Sequence, residues 1–278
     1  MTLVNLIKTA SQQLSEISES AKLDAEVLLC HILKKDRSYL ISWPEKEISD
    51  SQLEQFQQLI KQRSQGHPIA HLIQQKEFWS LDLIVSPDTL IPRPETELIV
   101  EQVLNYFPEA AEKSLLDLGT GSGAIALAIA TEKPQWHITA TDQSLKALQI
   151  AQKNAQRHQL NNIEFKSGNW FAAVNHQHFD IIVSNPPYIA ESDPHLSLGD
   201  IRFEPDTALV SGSDGLNDIR LITRQASQHL NSNGILIVEH GYDQKKLVKS
   251  IFEQNGFKKI EQQLDLAGQP RSTLGIIA

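Results

Sequence analysis

A single cysteine stands in the whole chain, and it falls inside the apolar helical pattern "DAEVLLCHIL" as Cys30. An internal disulfide and a cysteine-based metal cluster are therefore excluded, and a core position is the expectation for Cys30. Long apolar runs are missing as well: nowhere do about 18 apolar residues follow one another, as a membrane-crossing helix needs. The opening "MTLVNLIKTASQQL" has neither the basic start nor the apolar stretch of a secretion signal. Basic residues are in deficit, 25 Lys+Arg against 34 Asp+Glu, for a formal net charge of -9. That balance favours solubility and opposes tight binding to a phosphate backbone, which lysine and arginine grip by displacing counterions. No Gly-Lys-Ser or Gly-Lys-Thr follows the glycine-rich loop, which rules out a P-loop. A cytoplasmic, reducing setting is expected, with no membrane partner and no stable nucleic-acid partner.

What is present is enough for two units: 278 residues, of which 40% are hydrophobic. Residues 2 to about 65 read as four or five helices, because apolar positions recur at three and four, as at Leu3, Leu6, Ile7 and Ala10. Ser51 to Glu54 has the spacing of a capping box, and Gly66 stands where that helix should stop. From Ile73 to Leu90 the chain turns aromatic and β-branched and reads as a hairpin. After Pro94 helices and strands alternate: strands at 114–118, 137–141, 162–166 and 180–184, then a helix at 215–231, a strand at 234–239, a helix at 243–254 and two last strands. Alternation of this kind predicts a mostly parallel sheet covered on both faces. The expected division is a helical domain at 1–72, a hairpin linker at 73–92 and an α/β domain at 93–278.

"LLDLGTGSGAIALAIA" places Gly119, Gly121 and Gly123, with Thr120 and Ser122 between them, at a strand-to-helix turn. Glycines there permit a tight turn and let backbone approach a small ligand at the helix start. Asp142 ends the next strand, near the spacing at which nucleotide-binding α/β folds place a ribose-binding acid. It also suits a helix N-cap, but Ser144 is available for that. The dinucleotide fingerprint is G-x-G-x-x-G and this loop is G-x-G-x-G, which weakens an oxidoreductase reading.

"SNPPY", residues 184–188, follows the apolar strand "FDIIV". Two prolines have no N–H to continue a sheet, so the five letters by themselves describe a strand-ending turn. With the glycine loop and Asp142 they gain a chemical reading. "DLGTGSG", Asp142 and "NPPY" resemble a class I methyltransferase that uses S-adenosylmethionine and methylates planar or amide nitrogens. An amide NH2 carries two donors and a delocalised lone pair, so it needs two acceptors. The Asn185 side-chain oxygen and the Pro186 carbonyl can be those acceptors, which makes these two the candidate catalytic residues.

The resemblance goes further. "LIPRPETE" at 90–97, "SGNWF" at 167–171, "VSNPPYIAESDPHL" at 183–196, "DIRFEPDTALV" at 200–210 and "EHG" at 239–241 are similar to the HemK/PrmC family. It implies a Rossmann-like, seven-stranded, mostly parallel sheet with a small N-terminal helical bundle. It implies methyl transfer from S-adenosylmethionine to the glutamine of the Gly-Gly-Gln motif of class I peptide-chain release factors. Position by position, Gly119 to Gly123 would face the cofactor's methionine part and Asp142 its ribose. Trp170 would lie near the adenine, Asn185 would also border the cofactor, and Asn185, Pro186, Pro187 and Tyr188 would hold the glutamine. A ribosomal-protein glutamine methyltransferase would keep the same motifs; a nucleic-acid amino methyltransferase should show a basic face, and a non-catalytic scaffold has no reason to retain the site.

Other letters divide between structure and function. Trp170 also fits an ordinary core aromatic. Pro94, Glu95 and Glu97 fit a helix start, and Arg93 and Glu97 are further site candidates. Arg202 lies in a loop of the kind that often touches substrates. Glu239 and His240 read as structural residues at a strand end. His67 and His71 flank Pro68 with no third ligand nearby, so no metal is expected.

Overall fold

The computed structural model describes residues 1–108 and 111–277. In the first unit, helical periodicity becomes α1 (Leu3–Leu14), α2 (Ala21–Leu33), α3 (Arg37–Ser42), α4 (Asp50–Ser64) and α5 (Ile69–Ile73). Each buries one stripe in a shared core that includes Leu6, Leu14, Leu28, Leu29, Phe56 and Ile60. Cys30 sits half-buried at the edge of that core instead of within it. The capping box of α4 is two residues earlier than expected. Ser49, not Ser51, accepts the Gln52 N–H, and the Gln52 side chain accepts the Ser49 N–H in return. A glutamine three residues after serine serves the box as well as the glutamate at position 54, and the helix then has its cap at Ser49. Gly66, at φ +95°, closes the helix by donating its N–H to the Arg63 carbonyl.

Residues Ser197–Phe203 pack with these helices although they are distant in sequence. Arg63, nearly buried, donates to Asp24 at 2.8 Å and to Asp200 at 3.1 Å, and the Phe203 ring lies 4.4 Å from that of His67. A buried guanidinium shared by two carboxylates is costly to break from either side.

The second unit, Lys76–Leu196 and Glu204–Ala278, is built on the alternation after Pro94. A two-stranded hairpin, β1 (Gln75–Phe78) and β2 (Leu81–Ile84), leads into it. Its turn residues Trp79 and Ser80 are both left-handed, at φ 51° and 59°, the twist a two-residue hairpin turn requires. The hairpin was expected as a separate linker over 73–92. From Lys76 onward it groups with the sheet, because Phe78, Leu81 and Leu83 bury in the sheet's own core.

The sheet has seven strands: β3 (Ser114–Leu118), β4 (His137–Asp142), β5 (Ile163–Ser167), β6 (Phe179–Ser184), β7 (Leu230–Glu239), β8 (Lys258–Leu264) and β9 (Pro270–Ile276). Their order is β5-β4-β3-β6-β7-β9-β8, with only β9 running against the rest. Helices α6 (Glu97–Tyr106), α7 (Ala124–Glu132), α8 (Leu145–Arg157), α9 (Asn217–Ala226) and α10 (Lys245–Gln254) cover its faces. Successive strand residues alternate between two apolar clusters: Leu115, Ile181 and Ile235 pack on one face, Leu116, Ile182 and Leu236 on the other. The helix expected over 215–231 stops at Ala226, and β7 begins at Leu230, since Leu230 pairs with Phe179. The strand order reverses between β3 and β6, and ligands of open α/β sheets bind at the carboxyl ends of the strands there.

Candidate functional site

At those ends lies a cavity of about 210 Å³, bordered by the glycine loop after β3, by Asp142 after β4, by Trp170 after β5 and by Asn185 and Pro187 after β6. Four successive parallel strands thus deliver one group each, which is why residues 66 positions apart converge.

The glycine loop is pinned from behind. Gly119 and Thr120 both donate their N–H to the Thr141 carbonyl at 2.9 Å. Asp117, at the end of β3, accepts from the Thr120 hydroxyl at 2.6 Å and from the Ala126 N–H. Burial pushes the Asp117 carboxyl up to about 7, against those two hydrogen bonds. The three glycines differ in purpose. Gly121, at φ +57°, has open space where a Cβ would stand, beside the cavity. At Gly119 a Cβ would come 3.2 Å from the Trp170 ring, so the indole lies on the loop. Gly123 does not border the cavity: its Cβ would collide with Leu127 and press on Ala151, so its task is to let α7 and α8 approach.

Asp142 is not the N-cap of α8, which is Ser144, accepting the Ala147 N–H. Its Oδ2 accepts the Gly121 N–H at 2.9 Å and its Oδ1 the Ser144 N–H at 2.8 Å. Burial raises the Asp142 pKa, with these N–H groups acting the other way. Each carboxylate oxygen has a further lone pair, so room remains to accept from a ligand's hydroxyls. Trp170 has a left-handed backbone, φ 48°, and its Nε1 donates to Asp218 at 3.2 Å. A bulky residue held in that conformation is a strained position, and such positions gather at ligand sites.

Asn185 donates from Nδ2 to Thr96 Oγ1 at 3.1 Å, and its Oδ1 is buried with no hydrogen-bond partner. An orphaned buried acceptor is costly unless a ligand completes it. Among the described residues no loop hydrogen bond ends on the Pro186 carbonyl. Pro187 borders the cavity; Pro186 and Tyr188 do not. Tyr188 donates its hydroxyl to Glu239 Oε1 at 3.1 Å, and burial raises its pKa.

Several contributors were not anticipated. Thr96 holds Asn185, and the segments carrying Thr89, Leu90 and Pro92, and Pro205, Thr207 and Ala208, line the cavity. The "IPRPETE" stretch thus enters through Pro92 and Thr96. Arg93 instead pairs with Glu204 at 2.7 Å, and Glu97 accepts the Trp79 N–H, closing the hairpin turn. Threonine inside a helix-start pattern carries no distinctive spacing, so only the fold reveals it. His240 is buried with its ring nitrogens on the Gly241 carbonyl and the Thr273 hydroxyl, and burial lowers its pKa.

Sheet order, glycine loop and the acid after β4 define the class: a class I, S-adenosylmethionine-dependent methyltransferase fold. Residues 5–73 match the PrmC N-terminal domain and residues 96–204 the methyltransferase small domain. The chain is 48% identical to the release factor glutamine methyltransferase of Aliivibrio fischeri over 97% of its own length and 95% of that protein's. It is 46% identical to the one from Escherichia coli, over 97% and 96%. The chain belongs to the family of release factor glutamine methyltransferases. Among solved structures, a methyltransferase from Pyrococcus furiosus shares the fold, with a TM-score of 0.54 at 19% identity, covering 79% of this chain and 96% of that one.

Proposed function

We propose that this protein transfers a methyl group from S-adenosylmethionine to the side-chain amide nitrogen of the glutamine in the Gly-Gly-Gln motif of class I peptide-chain release factors, in the cytoplasm. The observation that carries the reading is the unpartnered, buried Asn185 Oδ1 at the cavity that Gly121 and Asp142 also border. Family membership supports the substrate. No helix among the described residues is long and apolar enough to cross a membrane.

The residues present fit the cofactor. Open space at Gly121 admits the methionine part, Asp142 has lone pairs for the ribose hydroxyls, and the Trp170 ring offers a flat face for adenine. S-adenosylmethionine supplies a methyl already activated on a sulfonium, and its leaving group is a neutral thioether. The protein's task is therefore alignment. Asn185 Oδ1 and the Pro186 carbonyl would accept the two N–H bonds of the amide, holding its nitrogen toward the methyl and favouring the developing tetrahedral nitrogen over the planar one, from which one of the two protons is released to water as the planar N-methyl amide re-forms. Alignment of this kind contributes several kcal/mol, of order 7 in the best intramolecular cases. A pocket of two acceptors rejects a glutamate side chain, which lacks the donors.

The test is transfer of labelled methyl to two purified release factors, one with Gly-Gly-Gln and one with that glutamine changed to glutamate. Label on the first only is the expected result. Label on neither, with the cofactor bound, would overturn the substrate assignment.

A further inference from the structure

We infer that Asp218 is a positioning residue for the cofactor: it fixes the Trp170 indole in the wall of the cavity, in the orientation that lets the ring face the adenine. The inference rests on the cofactor part of the functional reading above and extends it to a side chain that does not itself border the cavity.

Local structure does not hold Trp170 in place. Its backbone is left-handed, φ 48°, at the start of a 3-10 turn over Trp170–Ala173, and a bulky residue keeps that conformation only where its surroundings over-determine it. The side chain is half-buried and borders the cavity, so packing does not enclose it. Contacts at opposite ends of the indole supply the constraint. The six-membered ring lies on the glycine loop, where a Cβ at Gly119 would come 3.2 Å from Cζ3 and 3.6 Å from Cη2. At the five-membered ring, Nε1 donates to Asp218 Oδ1 at 3.2 Å. Contact with the loop alone leaves the indole free to swing about its side-chain torsions; the hydrogen bond at the other end fixes its plane. An indole N–H only donates, so no other sense of this bond exists.

Asp218 is itself held firmly enough to serve as an anchor. It is the second residue of α9, 48 positions from Trp170. Its Oδ2 accepts the Ser211 hydroxyl at 2.6 Å and its own N–H donates back to Ser211 Oγ at 2.8 Å, which leaves Oδ1 for the indole. Ser211 is buried, and its N–H donates to the Ile189 carbonyl at 3.0 Å, directly after the "NPPY" turn. The anchor is thereby tied to the segment that carries Asn185. An acid in the first turn of a helix also suits the dipole, but that role needs neither Ser211 nor the indole and implies no change in cofactor affinity. Without the anchor the indole samples other orientations, and the apparent affinity falls in proportion to the fraction that still holds the competent one.

The experiment measures S-adenosylmethionine affinity by calorimetric titration, with thermal melting as a check of folding. It compares the full chain with Trp170→Ala, Trp170→Phe, Asp218→Ala, Asp218→Asn and the Trp170→Phe/Asp218→Ala double variant. Asp218→Ala is expected to weaken binding by about 10-fold, as for an indole in place about one time in ten. Asp218→Asn should bind within about 3-fold of the parent even where its melting temperature falls: the amide oxygen still accepts the indole N–H, while the Ser211 proton loses its acceptor. Trp170→Phe keeps a flat ring without the N–H and should weaken binding by about 10-fold; in that background Asp218→Ala should add less than about 2-fold. Parent-like affinity in Asp218→Ala, an Asp218→Asn as weak as the alanine variant, or an alanine effect undiminished by Trp170→Phe would each overturn the anchor. If Asp218→Ala does not fold, Trp170→Phe decides, because it removes the same hydrogen bond from the other side, and binding within about 2-fold of the parent would overturn the inference. Parent-like affinity in Trp170→Ala would instead overturn the assignment of Trp170 to the adenine, and the inference with it. A parent chain that binds no S-adenosylmethionine overturns the functional reading itself.

Discussion

Asn154, fully buried on α8, pairs with the backbone of Ile84 on both sides, accepting its N–H at 2.7 Å and donating to its carbonyl at 3.0 Å. The same Nδ2 donates to the Ser122 carbonyl at 2.9 Å, so one amide joins the hairpin to the glycine loop. Replacing it with alanine orphans three backbone groups, the Ser122 carbonyl buried and the two of Ile84 partly so. The expected loss for Asn154→Ala is about 3 kcal/mol of unfolding free energy, at roughly 1–3 kcal/mol per stranded group with partial rescue by water. Urea denaturation measures it, and a loss under about 0.5 kcal/mol would show that the hairpin does not depend on this amide.

The glycines of the loop should separate by readout. Gly123→Ala is strained by its φ of +88° and by the Leu127 contact, and should chiefly lower stability, by about 2 kcal/mol. Gly121→Ala meets open space, so its main effect should be weaker S-adenosylmethionine binding, by about 10-fold or more, as the methyl and the strained backbone intrude on the ligand. Thermal melts and calorimetric titration of both variants check the contrast. Equal loss of affinity in the two would contradict the division of roles.

Asn185→Ala is expected to leave cofactor binding nearly unchanged while methyl transfer collapses, by about 100-fold or more, as when one oriented group is removed from a reacting centre. Retained transfer would sink the two-acceptor mechanism.

Asp117 predicts a pH dependence of stability. Its carboxyl is raised from 3.8 to about 7 by burial, so between those values the folded chain holds its proton while the unfolded chain has released it. Folded protein then binds more protons, and stability falls as pH rises through that window, levelling off above about 7. Asp117→Asn lacks this component. The unfolding free energy of the parent minus that of the variant should therefore decline between about pH 4 and pH 7. A difference that is flat or rises across the window would show that the carboxyl is not desolvated as its burial implies.

The alternation of helix and strand after Pro94 was legible because two periods, 3.6 and 2, are written directly in the positions of apolar residues. Hence β3 at 114–118 matches its expected span, and the glycine loop and Asp142 could be placed on strand ends. Legibility failed where the deciding partner is remote. The start of β7 depends on Phe179, 51 residues earlier, and the two serines near α4 share one spacing pattern. The hairpin turn carries Trp-Ser where Asn-Gly would announce it, because Glu97 and Glu77 accept its N–H groups.

By itself the sequence determined the fold class, the loop that admits a small ligand, and the chemical type of each principal group, since these depend on residue identity and local period. The tertiary structure alone decided orientation: that Gly123 serves helix packing, that Asn154 ties hairpin to loop, and that Asn185 keeps its oxygen free while Thr96 takes its NH2. Which end of an amide is free depends on the hydrogen-bond partner that reaches it. Here that partner lies 89 residues away in the chain, where no local pattern can signal it.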